Sequence, residues 1–134
     1  MFGSTDWTVY AVDERSGWSV WRFRTGQMVV GSPRIVDGVV YIGSADGILY
    51  ALDATSGRMI WKCNVGGQIV SSPAVGNGSV YFGTTGGEVV SANVKNGKEQ
   101  WRFKTGGAVP SSPCIGGKMI YIGSNDHHVY ALPA

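Results

Sequence analysis

Ala51-Leu52-Asp53-Ala54-Thr55-Ser56-Gly57-Arg58-Met59-Ile60-Trp61 decides the fold, because this stretch is written three times. It stands forty residues earlier as Ala11-Val12-Asp13-Glu14-Arg15-Ser16-Gly17-Trp18-Ser19-Val20-Trp21. Forty residues later it returns, more loosely, as Ser91-Ala92-Asn93-Val94-Lys95-Asn96-Gly97-Lys98-Glu99-Gln100-Trp101. Outward from it, the 40-residue period runs from end to end without an insertion or deletion. Gly3, Gly43, Gly83 and Gly123 share one column, and Ser32-Pro33 comes back as Ser72-Pro73 and Ser112-Pro113. Self-similarity at 20 to 50 residues marks solenoids, propellers or arrays, whose units bury their faces on one another. Three periods take 120 of the 134 residues and leave 14, about 3.35 units, so the chain begins and ends inside a unit.

One unit reads as four strands. Residues 69–75 form a short first strand, with Pro73 at a place that suits a strand start or bulge. Gly76-Asn77-Gly78 turns into Ser79-Val80-Tyr81-Phe82-Gly83, a β-rich second strand. A hairpin follows at Thr85-Gly86-Gly87, or at Ala45-Asp46-Gly47 one unit earlier, where Asp-Gly predicts a two-residue turn with both residues at positive φ. Leu49–Asp53 is the third strand and Met59–Asn64 the fourth, joined through Thr55-Ser56-Gly57. No window carries a 3.6-residue apolar period, so no helix is expected. Four antiparallel strands in about 40 residues is the content of a propeller blade. The fold class is therefore all-β, an incomplete β-propeller, in one segment over residues 1–134. Its units are 1–30 (three strands), 31–68, 69–108 and 109–134 (three strands). With the strands lettered a to d from the axis outward, the chain runs b-c-d, a-b-c-d twice, then a-b-c.

The stretches at 11–21 and 51–61 resemble the tryptophan-docking motif of pyrroloquinoline-quinone-like propeller repeats, which reads Ala-x-Asp-x-x-Thr-Gly-x-x-x-Trp. Tyr41-Ile42-Gly43-Ser44-Ala45-Asp46-Gly47 and Tyr121-Ile122-Gly123-Ser124-Asn125-Asp126 are similar to the same family. The resemblance covers the whole chain. It implies that Trp21, Trp61 and Trp101 dock between adjacent blades, stacking on backbone of the neighbour. Gly17, Gly57, Gly97, Asp13 and Asp53 would shape the docking turns. The third copy departs, with Ser91, Asn93 and Asn96 at the Ala, Asp and Thr positions, so its turn is expected to be looser. Independently of the name, a blade must bury both faces, and a large aromatic at a fixed column supplies much of that area.

The family takes its name from quinoprotein dehydrogenases, whose resemblance to one another lies in adjacent cysteines beside the quinone and Asp, Glu and Asn ligands to calcium. This chain has no adjacent cysteines; Cys63 and Cys114 fall in different columns and read as small hydrophobes. Asp6, Asp46 and Asp126 share one column and Asp13 and Asp53 another, which predicts turn and cap chemistry. His127-His128 is the only histidine pair, and consecutive strand residues point to opposite faces. No catalytic, cofactor-binding or metal residue is therefore expected, and no cofactor.

Composition sets the outer limits. Charged residues are 15% of the chain and the net charge is +2, too little to imply a nucleic-acid partner. Five of the 11 basic residues, Arg22, Arg24, Lys62, Arg102 and Lys104, alternate along the fourth strands, where cations discourage edge-to-edge aggregation. No apolar run approaches the 18 or so residues of a membrane span, and residues 1–6 lack the basic and apolar regions of a signal peptide. Met1 stands in a column otherwise filled by Tyr, which suits a start cut from longer sequence. The relatives that the resemblance implies are often periplasmic or extracytoplasmic; the compartment of this chain is left open.

These readings favour a non-catalytic protein-binding or scaffolding module over part of a quinoprotein-like dehydrogenase whose quinone and calcium site lies in further blades. A closed propeller needs about four to eight blades. The chain is thus expected either to belong to a larger propeller or to self-associate, as a homodimer closing six or eight blades.

Overall fold

The computed structural model describes residues 2–3, 8–12, 19–26, 33–69, 71–109, 112–126 and 128–133. Among them every regular element is a strand. The first sheet holds β1 (Phe2–Gly3), β2 (Thr8–Val12) and β3 (Ser19–Arg24). The second holds β4 (Arg34–Val36), β5 (Val39–Gly43), β6 (Ile48–Asp53) and β7 (Met59–Asn64). The third repeats it as β8 (Ala74–Gly76), β9 (Ser79–Gly83), β10 (Glu88–Asn93) and β11 (Glu99–Lys104). The fourth has β12 (Cys114–Gly116), β13 (Met119–Gly123) and β14 (Val129–Pro133). Within each sheet the spatial order is the chain order and every pairing is antiparallel. The chain is an open segment of a β-propeller: two four-stranded blades between two of three strands, the first without strand a and the last without strand d.

Local chemistry explains the turns, with one correction. Asp37 and Gly38 (φ 51° and 75°) and Asn77 and Gly78 (φ 55° and 74°) are the two-residue turns with both centres at positive φ. They join strands a and b. At Ala45-Asp46-Gly47 only the glycine is left-handed (φ 83°), and Gly47 N donates to Ser44 O at 3.2 Å. The loop is therefore one residue longer than Asp-Gly predicts, a type I turn followed by a left-handed glycine. The inner strand is also shorter and later than expected, Ala74–Gly76 rather than 69–75, because Pro73 has no N–H to give a ladder.

Consecutive sheets are stacked face to face, and the period of two along each strand decides which side chain meets which neighbour. On β6, Leu49 and Ala51 are packed with Val80, Phe82, Val90 and Ala92 of the third sheet, around Trp61 and Cys63. The alternate residues Tyr50 and Leu52 face the first sheet and surround Trp21 with Val40 and Ile42. A third cluster joins Tyr81 and Val89 to Ile120 and Ile122. The Gly43 column has its own reason: a Cβ there would fall 2.2 Å from Ile69, and at Gly83 it would fall 2.3 Å from Val109. The short inner strands lie together, β8 against both β4 and β12, while β7 and β11 form outer edges. On those edges Lys62, Arg102 and Lys104 are exposed, as are Arg22 and Arg24 on β3.

Candidate functional site

The residues that recur with the period converge on the seams between sheets. Trp21, on β3, donates from Nε1 to Ala54 O of the second sheet at 2.9 Å. Trp61, on β7, makes the same bond to Val94 O of the third sheet at 2.9 Å. Each ring lies on the turn between strands c and d of the next sheet. Gly57 and Gly97 have φ of 75° and 73°, and a Cβ on them would sit 2.6 Å from Trp21 and 2.3 Å from Trp61. Only glycine satisfies both the backbone and the ring there. Asp53 holds its turn by accepting from Thr55 N (2.8 Å) and Ser56 N (3.1 Å), bonds that keep its carboxyl below the usual carboxylate range.

The third docking turn is not loosened by its substitutions. Asn93 Oδ1 accepts from Lys95 N at 2.8 Å and Asn96 Oδ1 from Lys98 N at 2.9 Å. The backbone bond from Asn93 N to Lys98 O, at 2.9 Å, matches the 2.8 Å bond from Asp53 N to Arg58 O. An asparagine side chain offers the same short acceptor as an aspartate, so the geometry survives the loss of charge. Asp13 and Gly17 lie outside the described residues, as does position 134, the column of the Trp21 and Trp61 acceptors for Trp101. Trp101 itself is half-buried and tilted against Tyr81, with centroids 6.1 Å apart. A groove of about 440 Å³ opens beside it, lined by Trp101, Arg102, Phe103, Leu132 and Pro133.

A second set of seam contacts was not legible as such. Asp46 Oδ1 accepts from Ile48 N at 3.0 Å, the expected turn bond. Its Oδ2 reaches across the seam to Gly26 N at 2.9 Å and accepts from Tyr50 OH at 2.7 Å. Asp126 repeats this with Gly106 N at 2.9 Å and with Tyr130 OH. Phe23 meets Tyr50, and Phe103 meets Tyr130, each at 5.3 Å between ring centroids. The Tyr130 hydroxyl, then the backbone donors of Gly106 and His128, hold the Asp126 carboxyl well below its ordinary value. Burial, then the Asp46 carboxylate, raise the Tyr50 phenol. At the middle seam all three columns change together, to Cys63, Val90 and Gly86. That joint change is the signal by which the clasp could have been found. Thr85 N bonds Gln68 O across this seam at 2.9 Å, as Asn125 N bonds Ala108 O at 2.8 Å across the next, and Arg102 Nη1 bonds Val65 O at 3.3 Å.

These seams join sheets and leave little chemistry over. Among the described residues no three His, Cys, Asp or Glu converge on a metal-sized point. Cys63 is buried in the middle seam and Cys114 is exposed on an inner strand of another sheet. His128 is exposed and bonds back to Asp126 O at 3.0 Å; His127 lies outside the described residues. A quinone with its calcium needs adjacent thiols and converging oxygen donors. The thiols here are apart and Asp46, Asp53 and Asp126 are occupied by turns and seams, so the described residues do not fit that group.

The family model of outer membrane protein assembly factor BamB matches residues 5–134. Among solved structures, BamB from Moraxella catarrhalis is similar at 22% identity and a TM-score of 0.84, over 98% of this chain and 41% of that one. The computationally designed Ika4 protein is similar at 16% identity and 0.88, over 98% of this chain and 82% of that one. Quinohemoprotein alcohol dehydrogenase ADHIIG from Pseudomonas putida HK5 is similar at 24% and 0.79, over 87% of this chain and 25% of that one. This chain thus spans about two fifths of the BamB structure and a quarter of the dehydrogenase. No curated protein sequence matches it.

Proposed function

Starting from the family of outer membrane protein assembly factor BamB, to which this chain belongs, we propose that it is a non-catalytic binding or scaffolding module acting within a completed propeller. One observation carries this reading. The repeating residues with any chemistry to offer, Asp46, Tyr50, Asp53, Trp61 and Asp126, are engaged in turns and seams. What remains for partners is the rim and face of the ring. Fold alone does not decide between this and an enzyme fragment, since non-enzymes and dehydrogenases share it. The donor set favours the scaffold.

The ring's completion is part of the proposal. Blades with an uncovered apolar face associate, so the remaining blades come from a longer propeller or from another copy. Trp21, Trp61, Gly57, Gly97 and Asp53 join blades within the chain, and Trp101 at one end, with Gly17 and Asp13 at the other, stand in the same columns for joining the remaining ones. Titration with pyrroloquinoline quinone and calcium, followed by tryptophan fluorescence and by dye-linked alcohol oxidation, tests the reading. No quenching and no turnover are expected; saturable quenching with turnover would overturn it.

A further inference from the structure

We propose that the open edge of the fourth sheet is completed by β3 (Ser19–Arg24) of a second copy of this chain, given reciprocally, so that two chains close one ring. This rests on the reading above, that the chain works within a completed propeller, and names what completes it.

The groove beside Trp101 has the position of a missing part. Trp21 and Trp61 are covered by the glycine turns at Gly57 and Gly97; by the period, the turn for Trp101 would bear its glycine at column 137, beyond Pro133. The far face of the fourth sheet is bare in the same way. Tyr121 is 44% exposed, against 4% and 0% for Tyr41 and Tyr81 in its column. Val129 is 77% exposed, where Leu49 and Val89 are 0%. In the complete blades the tyrosine of this column lies against the tryptophan of the fourth strand, Tyr41 on Trp61 at 6.0 Å. A fourth strand bearing Trp at the right column would serve Tyr121 alike.

The same polypeptide is poorly made to supply that strand. In the second and third sheets the residue of column 53 donates its N–H to the start of the fourth strand, Asp53 to Arg58 O and Asn93 to Lys98 O. Its side chain also caps the turn. The residue of that column in the fourth sheet is Pro133, with neither an N–H nor a side-chain oxygen. Chain continuing through Pro133 could not close the docking turn as its predecessors do.

β3 supplies such a strand without a covalent docking turn. It carries Trp21 and Phe23 at the columns of Trp61 and Cys63. In the first sheet β3 pairs with β2 as Val9↔Phe23, Tyr10↔Arg22 and Ala11↔Trp21. Val129-Tyr130-Ala131 on β14 is the same tripeptide as Val9-Tyr10-Ala11, at the same columns. The strand can therefore leave β2 for the partner's β14 with no change of register and an equal ladder of its own, while β2 gives up that ladder and the β1–β2 hairpin yields its place beside the second sheet to the partner's fourth sheet. The strand keeps its own Trp21 docked on Ala54. The exchange covers Tyr121, Val129 and the Trp101 groove, and two chains of three periods then give six four-stranded blades, within the range of closed propellers. Exchange of an identical element is a low-cost route to a two-fold dimer.

The test uses the full chain. Light scattering is expected to give twice 14.2 kDa. Arg24 stands opposite Thr8, so after exchange it stands opposite His128 of the partner, both being exposed positions. An Arg24→Cys chain and a His128→Cys chain, each also Cys114→Ser, are refolded together and oxidised mildly. A disulfide joining positions 24 and 128 of different chains is expected. Trp101→Ala is expected to weaken the dimer by about tenfold or more. A monomer at all concentrations would overturn the proposal, with further blades of a longer polypeptide as the occupant. A dimer without the 24–128 link would overturn it also. The quinone titration is independent, so failure here and failure of the scaffold reading give different results.

Discussion

At the scale of single residues, the seam clasp makes stability depend on pH at both ends. Asp126 has its carboxyl lowered, chiefly by the Tyr130 hydroxyl. A carboxyl lowered in the folded state contributes fully above its unfolded value, near pH 4, and progressively less as pH falls below it. Tyr50 and Tyr130 have raised phenols, through burial and Asp46 for the first and through Asp126 for the second. Their contribution is present below about pH 10 and is lost as pH rises beyond it. Urea midpoints should therefore form a plateau between about pH 5 and 9 and fall on either side. Asp126→Asn should lower the plateau and flatten the acid limb; an acid limb of unchanged depth would show that the clasp does not couple to folding. The Tyr81 hydroxyl is a different case, buried with no hydrogen-bond partner among the described residues, and nothing in those surroundings accounts for it beyond the packing of its ring.

At the scale of elements, the seams come in two kinds. Phe23 with Tyr50 and Asp46, and Phe103 with Tyr130 and Asp126, flank a middle seam of Cys63, Val90 and Gly86. Cys63→Phe alone adds volume against Val90 with no ring edge to meet it, and should cost about 1–3 kcal/mol. Adding Val90→Tyr and Gly86→Asp supplies the edge contact and the acceptor. The triple variant should recover most of the loss, with a coupling of about 0.5–3 kcal/mol in a denaturant cycle. Additive losses would mean that the three columns do not act together. The strands themselves were plain in the sequence: Met59–Asn64 follows from a turn glycine and an alternating outer strand, and the structure has those same bounds. What was not plain lies between elements. Nothing local says that Asp46 reaches Gly26, a backbone group 20 residues away in another sheet. Nor does Asp-Gly say whether its loop has two residues or three, which at Asp46-Gly47 depends on Ser44 accepting from Gly47. Docking of the tryptophans on a neighbour's backbone was expected from the family resemblance, whereas their seat on Gly57 and Gly97 was not read from the sequence, where the glycines stood only for turns.

At the scale of the whole molecule, the row of blades is open, and the exposed Tyr121 and Val129 mark its bare end. If a second chain covers that end, the melting temperature should rise with protein concentration, because association binds only the folded state. Melting curves from about 1 to 100 μM test this; superimposable curves would mean that the end stays bare in solution. The seam has a consequence for ancestry as well. Its members are a tryptophan strand and loop at 21–26 and an acceptor turn at 46–57, which belong to two successive blades. A duplication that copied one blade from its first strand to its last would separate Phe23 from Tyr50 and Asp46. One that ran from mid-blade to mid-blade would carry them together.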